Sequence, residues 1–290
     1  MELYLEKNKS VKEGFFFDCN NTYNTDIDVY DKTSGNIILS FKKNVIEEEY
    51  YDFDNWVVSQ SKLLSMDRGN AAGKVTLAGL KQHKENRKTY PVELLTRAGY
   101  YQKEGQSSGA HFRDNTGKIS KRSKSNTVRS STIGGFDKNG GLPCRLTFFT
   151  KRNIQKYETV FPISQKISEL YFSYFPDNWL YQYESYSKCP EEFIIPYTNF
   201  SSITVNHDFR TASHRDKGDY KKGMTCFTVK KCGEFSGGEL CFPEYDIGID
   251  IKQGDLLMFN PHEVHCNNAL NGRGRMSMVF YLREKMELCK

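Results

Sequence analysis

The sequence predicts an α+β chain that is mainly β, a sandwich or jelly-roll barrel of short strands with flanking helices. Three observations predict it. From residue 200 onward the hydrophobic pattern has a period of two, in SSITVN, MTCFTVK, GELCFP, IGIDIK, DLLMFN and RMSMVFYL. Alternation puts successive side chains on opposite faces, as a half-buried strand requires. Gly233, Gly237, Gly238, Gly254 and Gly272 punctuate these runs, and many short strands so divided argue for a sandwich or barrel. Upstream, Ile163, Ile167, Leu170 and Tyr174 recur at helical spacing, with Pro162 suited to a first turn and Pro176 to a stop. That stretch predicts an amphipathic helix packed on the sheet.

Along the chain, residues 1–65 are mixed, with acids at Glu47, Glu48, Glu49, Asp52 and Asp54 and no motif. They are expected to form a flank packed on the main domain or capping it. The segment 113–129 holds Arg113, Lys118, Lys121, Arg122, Lys124 and Arg129 against Asp114, and is nearly free of large apolar residues. It reads as an exposed loop whose charge suits a phosphate backbone or, equally, plain solvent. GLPCRLTFFT, at 141–150, reads as a short strand.

Composition bounds the function classes. The chain has 290 residues, 41 Lys and Arg against 36 Asp and Glu, a net charge of +5, 38% hydrophobic residues and 14% aromatics. Wholesale disorder is excluded, because so many aromatics can build a core. No apolar run approaches the roughly 18 residues that a membrane span needs. The start, MELYLEKNKSVKEGFFF, has charges where a secretory signal needs an apolar stretch. The eight cysteines contain no Cys-x-x-Cys pair and are expected as reduced thiols of an intracellular protein, in cytoplasm or nucleus.

The chemistry is concentrated in Thr211-Ala-Ser-His-Arg-Asp216 and Pro261-His262-Glu263-Val264-His265. On a strand, His214 and Asp216 would share a face. Two His and one carboxylate make the facial triad of non-haem Fe(II) oxygenases, which leaves three coordination positions for a bidentate co-substrate and dioxygen. Arg275 can pair with the far carboxylate of such a co-substrate, and Ser277, on the same face, can add a hydroxyl donor. Zinc hydrolysis also uses His and Asp, but explains neither Arg275 nor the strand order. His265 is the preferred second imidazole, His262 is then a rim or outer-shell residue, and His207 is structural.

At these residues the chain resembles the TET/JBP family of Fe(II)- and 2-oxoglutarate-dependent nucleobase dioxygenases, in its compact viral, phage and microbial form. The matching stretches are SSTIGGFDKNGGLPCRLTFFT, FSSITVNHDFRTASHRDKGDYKKG, FSGGELCFPEYDIGIDIKQGDLLMFNPHEVHCN and RMSMVFYLREKM. The resemblance implies a double-stranded β-helix core at 131–290, with residues 1–130 as an N-terminal flank that carries the basic loop. It implies Fe(II) on His214, Asp216 and His265, 2-oxoglutarate held by Arg275 and Ser277 with Arg145 as a further contact, and O2 as co-substrate. It implies a monomer that flips a 5-methylpyrimidine, 5-methylcytosine or thymine, out of double-stranded DNA and oxidises its methyl group. Tyr281 occupies the position of an aromatic that stacks on the extruded base.

Two departures concern base choice. Asp219 stands where animal members have Asn, and Arg283 where they have His. An ionised Asp219 only accepts hydrogen bonds, which favours the exocyclic amine of cytosine if Asp219 reaches the base. The cysteine-rich module of the animal enzymes is absent. Competing readings are a prolyl-type protein hydroxylase on the same scaffold, a non-catalytic DNA-binding module, and an enzyme acting on RNA or free nucleotides. The basic segment and Tyr281 disfavour the first, and an intact ligand set disfavours the second.

Overall fold

A computed structural model describes residues 1–65, 68–73, 128–138, 141–187 and 189–290. The basic segment 113–129 therefore lies outside the described residues except for Val128 and Arg129. The described strands are β1 (Glu2–Leu5), β2 (Asn21–Tyr23), β3 (Ile27–Asp31), β4 (Ile37–Lys42), β5 (Leu64–Ser65), β6 (Val128–Phe136), β7 (Arg145–Leu146) and β8 (Ser202–His207). They continue as β9 (Thr225–Lys231), β10 (Phe235–Gly237), β11 (Leu240–Phe242), β12 (Ile247–Ile249), β13 (Leu256–Phe259), β14 (Cys266–Asn267), β15 (Leu270–Gly272) and β16 (Arg275–Tyr281). Among the described residues, the large sheet runs β1-β3-β4-β13-β9-β16-β8-β6-β5, with β7 paired to β6. A smaller sheet runs β14-β11-β12-β2, and β10 pairs with β15.

The alternation read from SSITVN and RMSMVFYL decides what each face of the large sheet meets. Ile203, Val205, Met276, Met278 and Phe280 point into one core cluster, together with Ile163, Ile167 and Tyr171. Thr204, Asn206, Ser277, Val279 and Tyr281, of the opposite parity, line a cavity. The two sheets close on each other through Phe227, Phe259, Leu240, Phe242, Ile247 and Ile249. The result is the expected jelly-roll core with helices on its outer face.

The helices are α1 (Asn55–Ser61), α2 (Phe148–Arg152), α3 (Ile154–Glu158), α4 (Phe161–Tyr174) and α5 (Pro176–Tyr186). In α4, Ile163 and Ile167 are fully buried, worth about 1.5–3 kcal/mol each. Tyr174 differs from expectation and is 39% exposed, while Tyr171 takes the buried position. Pro176 both ends α4 and opens α5, since a first helical turn has no need of the N–H that proline lacks. The strand expected over GLPCRLTFFT is confined to Arg145–Leu146. Thr147 then caps α2, its side chain accepting from the Thr150 N–H.

Residues 1–42 are woven into both sheets instead of capping them: β1, β3 and β4 extend the large sheet through β13, and β2 pairs with β12. The run Ile27-Asp-Val29, with both apolar residues fully buried, carries the alternation that places β3 there. The division expected at 130/131 falls inside β6. The expectation of eight free thiols is also corrected. Cys144 and Cys289 form a disulfide with Cα atoms 5.6 Å apart, because β7 and the C-terminal turn meet around Leu282 and Met286. No helix among the described residues is long and apolar enough to cross a membrane.

Candidate active site

The residues at the centre of the site come from two loops. His214 and His265 form an isolated bridge, each N–H donating to the other's carbonyl at 3.0 Å. Two residues on, the Asp216 N–H donates to the Pro261 carbonyl at 2.9 Å. That bond is out of register with the bridge, which would set Asp216 opposite Glu263, and the Glu263 N–H donates instead to the Asn260 carbonyl, so no ladder extends beyond the 214–265 pair. His-x-Asp therefore lies outside any strand, contrary to expectation, and a single bridge gathers the ligands where a strand face was predicted to do so.

His214 Nε2 is 3.7 Å from Asp216 Oδ1, and His265 Nε2 is 3.3 Å from Asp216 Oδ2. The three ligand atoms lie within 4.8 Å of one another, the one such group of three among the described residues. Each Nδ1 faces a backbone carbonyl, His214 at 2.8 Å from Ala212 O and His265 at 2.9 Å from Glu263 O. A carbonyl only accepts, so each Nδ1 carries the proton and each Nε2 keeps its lone pair for a cation. Burial, helped by the neighbouring imidazole of His265, pulls His214 down to about 4. Burial opposes ionisation of Asp216, but His214, His265 and Arg68 outweigh it and bring the carboxyl to about 2. A neutral His214 and an ionised Asp216, with a second imidazole, suit Fe(II).

Arg215, between the ligands, ties the two loops together. Its guanidinium donates to the His262 carbonyl and to both carboxylate oxygens of Glu244, at 3.3 and 3.2 Å. His262 keeps its side chain off the cavity wall, and its Nε2 is buried without a hydrogen-bond partner among the described residues. His207 lies elsewhere, its Nδ1 3.3 Å from Ser61 Oγ.

A cavity of about 390 Å³ opens over the triad. Tyr281 is on its wall, with its hydroxyl 3.1 Å from that of Thr204. Arg283 is there too, its Nε donating to Asp137 Oδ1 at 2.7 Å. Asp219 is buried on the same wall and accepts from the Thr225 hydroxyl at 3.0 Å. Burial, then the charge of Asp216, raises the Asp219 carboxyl well above the usual carboxylate range, with Thr225 and Arg283 opposing. Asp219 thus stands on the wall with one oxygen engaged by Thr225 and its carboxyl shifted toward the protonated form, which weakens the accept-only role expected from the sequence.

Arg275 does not itself line the cavity; it is 4% exposed, and its guanidinium stands behind the wall, 5.6 Å from the ring centre of the wall residue Phe227. It makes no ion pair among the described residues. Burial lowers it only to about 10, so it stays charged. Gly238 makes room for it: a Cβ there would sit 3.1 Å from Arg275 Nε, at a φ of +77°. Ser277 lies on the wall two residues further along. Arg145 does not line the cavity. It donates to the Pro143 carbonyl at 3.0 Å and packs 5.5 Å from the Phe136 ring centre, so the structure does not bring it to the site. Glu13, Arg68, Asn70, Thr204 and Asn206 also line the cavity and were not read from the sequence. Thr204 and Asn206 were legible as the polar parity of SSITVN, whereas no signal marks Glu13 or Arg68.

The Tet_JBP family model, described as the oxygenase domain of the 2OGFeDO superfamily, matches residues 133–284. The chain is 34% identical over 176 residues to a thymine dioxygenase JBP1 of Trypanosoma brucei brucei, covering 54% of this chain and 20% of that protein. It is 33% identical over 190 residues to a thymine dioxygenase JBP1 of Crithidia fasciculata, covering 59% of this chain and 23% of that protein. The chain thus spans about a fifth of the length of these curated relatives. Among solved structures, NgTET1 in complex with 5mC DNA has a similar fold, with a TM-score of 0.54 at 12% identity, over 97% of this chain and 82% of that one.

Proposed function

The chain belongs to the TET/JBP family of oxygenases, and from that premise we propose that it is an Fe(II)- and 2-oxoglutarate-dependent dioxygenase that hydroxylates the 5-methyl group of thymine in DNA. The observation that carries the proposal is the cluster of His214, Asp216 and His265 at the floor of a cavity that also presents Tyr281, Asp219 and Arg283. The triad would hold iron through two Nε2 atoms and a carboxylate. Arg275 and Ser277 would hold the distal carboxylate of 2-oxoglutarate by charge-assisted hydrogen bonds. Iron held there would supply, with O2, the chemistry of 2-oxoglutarate decarboxylation and methyl hydroxylation.

The chain's own groups do the rest. Tyr281 offers a ring to a base that has lost its stacking on extrusion. Arg283, held by Asp137, donates to a base oxygen. Protonated, Asp219 would accept from thymine N3–H while donating to O4, or serve N3 and the amine of cytosine equally well; ionised, it would favour the amine of cytosine. The upward shift of the Asp219 carboxyl weakens the preference for cytosine, and the similarity to thymine dioxygenases supports thymine. The reading is tested by succinate release from 2-oxoglutarate on adding duplex DNA or a proline-rich peptide. Stimulation by DNA supports it, and stimulation by the peptide alone would assign the site to a protein hydroxylase.

A further inference from the structure

Three polar side chains stand in one row across β6, β8 and β16. Ser130 is in register with Asn206, and Asn206 with Ser277, so all three share the cavity parity. They are 2%, 8% and 4% exposed. Buried hydroxyls and amides in such a row must use each other or a ligand, because an unmet polar group there is unfavourable.

The hydrogen bonds have a direction. Ser130 Oγ donates to Asn206 Oδ1 at 2.5 Å, and Asn206 Nδ2 donates to Ser277 Oγ at 3.2 Å. Since Ser277 accepts from Asn206, its own proton is free for a third partner. The second N–H of Asn206, whose side chain is also on the cavity wall, is free as well. With Arg275 two residues from Ser277 on the same strand face, behind the wall, this part of the site has free donors that outnumber the lone pairs left on Ser277 Oγ and Asn206 Oδ1. Its complement is a group that only accepts, and a carboxylate is such a group.

We propose that Asn206 is a specificity-determining residue for the co-substrate's distal carboxylate, fixing Ser277 as a donor and adding an N–H of its own, with Ser130 holding the amide in this orientation. The inference rests on the reading of 2-oxoglutarate as co-substrate. Were the amide turned over, Ser277 would spend its proton on Asn206, and an acceptor at 206 would be harmless.

The near-isosteric Asn206→Asp variant separates these cases. Binding of 2-oxoglutarate to the Fe(II)-loaded protein is followed without oxygen by its visible charge-transfer absorption, and needs no nucleic acid. The expected result is affinity for 2-oxoglutarate weakened about 10- to 100-fold, as loss of a hydrogen bond to a charged group implies. Iron binding should be unchanged, and the distal amide, 2-oxoglutaramate, should gain relative to the acid. Ser130→Ala, which only frees the amide to turn, should weaken 2-oxoglutarate by less and in the same sense. Equal binding by wild type and Asn206→Asp overturns the inference. Failure of the wild type to bind 2-oxoglutarate at all would instead overturn the proposed function.

Discussion

His214 and His265 exchange two backbone hydrogen bonds of 3.0 Å each, so two loops 51 positions apart in the chain meet at one residue pair. The pairing sets both imidazoles on the same side of the bridge, with ring centres 4.3 Å apart. Asp216 is held close by a separate bond, its N–H donating to the Pro261 carbonyl at 2.9 Å. Arg215 clamps the arrangement from behind through the His262 carbonyl and Glu244.

Replacing His265 by Ala should abolish iron binding at micromolar iron. The three ligands act as a unit, and even loss of an outer-shell partner lowers metal affinity about 10–100-fold. His262→Ala should keep its iron, since that side chain is off the cavity wall. Equilibrium metal binding by the two purified variants checks this. Retention of iron by His265→Ala with loss from His262→Ala would reverse the assignment.

Arg275→Met should weaken 2-oxoglutarate while leaving iron in place. Removing one partner of a buried charged pair costs about 2–5 kcal/mol. The check is the apparent constant for 2-oxoglutarate at fixed iron, measured beside direct metal binding. An unchanged constant would move the carboxylate clamp to another cation.

Asp219→Asn should keep turnover near the wild-type level, because an amide reproduces the donor and acceptor of a neutral carboxyl. Steady-state kinetics on one duplex substrate are sufficient. A loss of about 100-fold or more would mean that Asp219 works as an ionised acceptor.

Exchanging Lys121, Arg122 and Lys124 for Ala should weaken duplex binding alike on unrelated sequences. Each lost phosphate contact lowers the slope of log affinity against log salt by about 0.9. Titrations at several salt concentrations read this slope. A loss confined to one sequence would indicate base contacts instead.

Much of the fold was legible because alternation is local. SSITVN and RMSMVFYL carry their two faces in their own letters, and the helix over 161–174 shows its period and both prolines. The strands β1 to β4 were missed because nothing local says that β3, with Ile27 and Val29, joins through β4 to β13, far along the chain. The candidate ligands were legible as letter patterns, but their geometry was not. A bridge between residues 214 and 265 is a tertiary event, and it replaced the strand that His-x-Asp alone suggested. Arg145 misled for the converse reason: its motif was legible, but its stacking on Phe136 was not. The upward shift of the Asp219 carboxyl comes from burial and from Asp216, neither of which a sequence displays.

Methyl oxidation of a DNA base is assigned to the His214–Asp216–His265 cluster. Its most direct test is mass spectrometry of nucleosides from defined duplex DNA after incubation with the protein, Fe(II), 2-oxoglutarate and ascorbate. The predicted result is 5-hydroxymethyluracil that depends on 2-oxoglutarate and is absent with Asp216→Ala. Exclusive 5-hydroxymethylcytosine from methylated duplexes would contradict the base assignment, and unmodified DNA alongside succinate release on a peptide would contradict the claim itself.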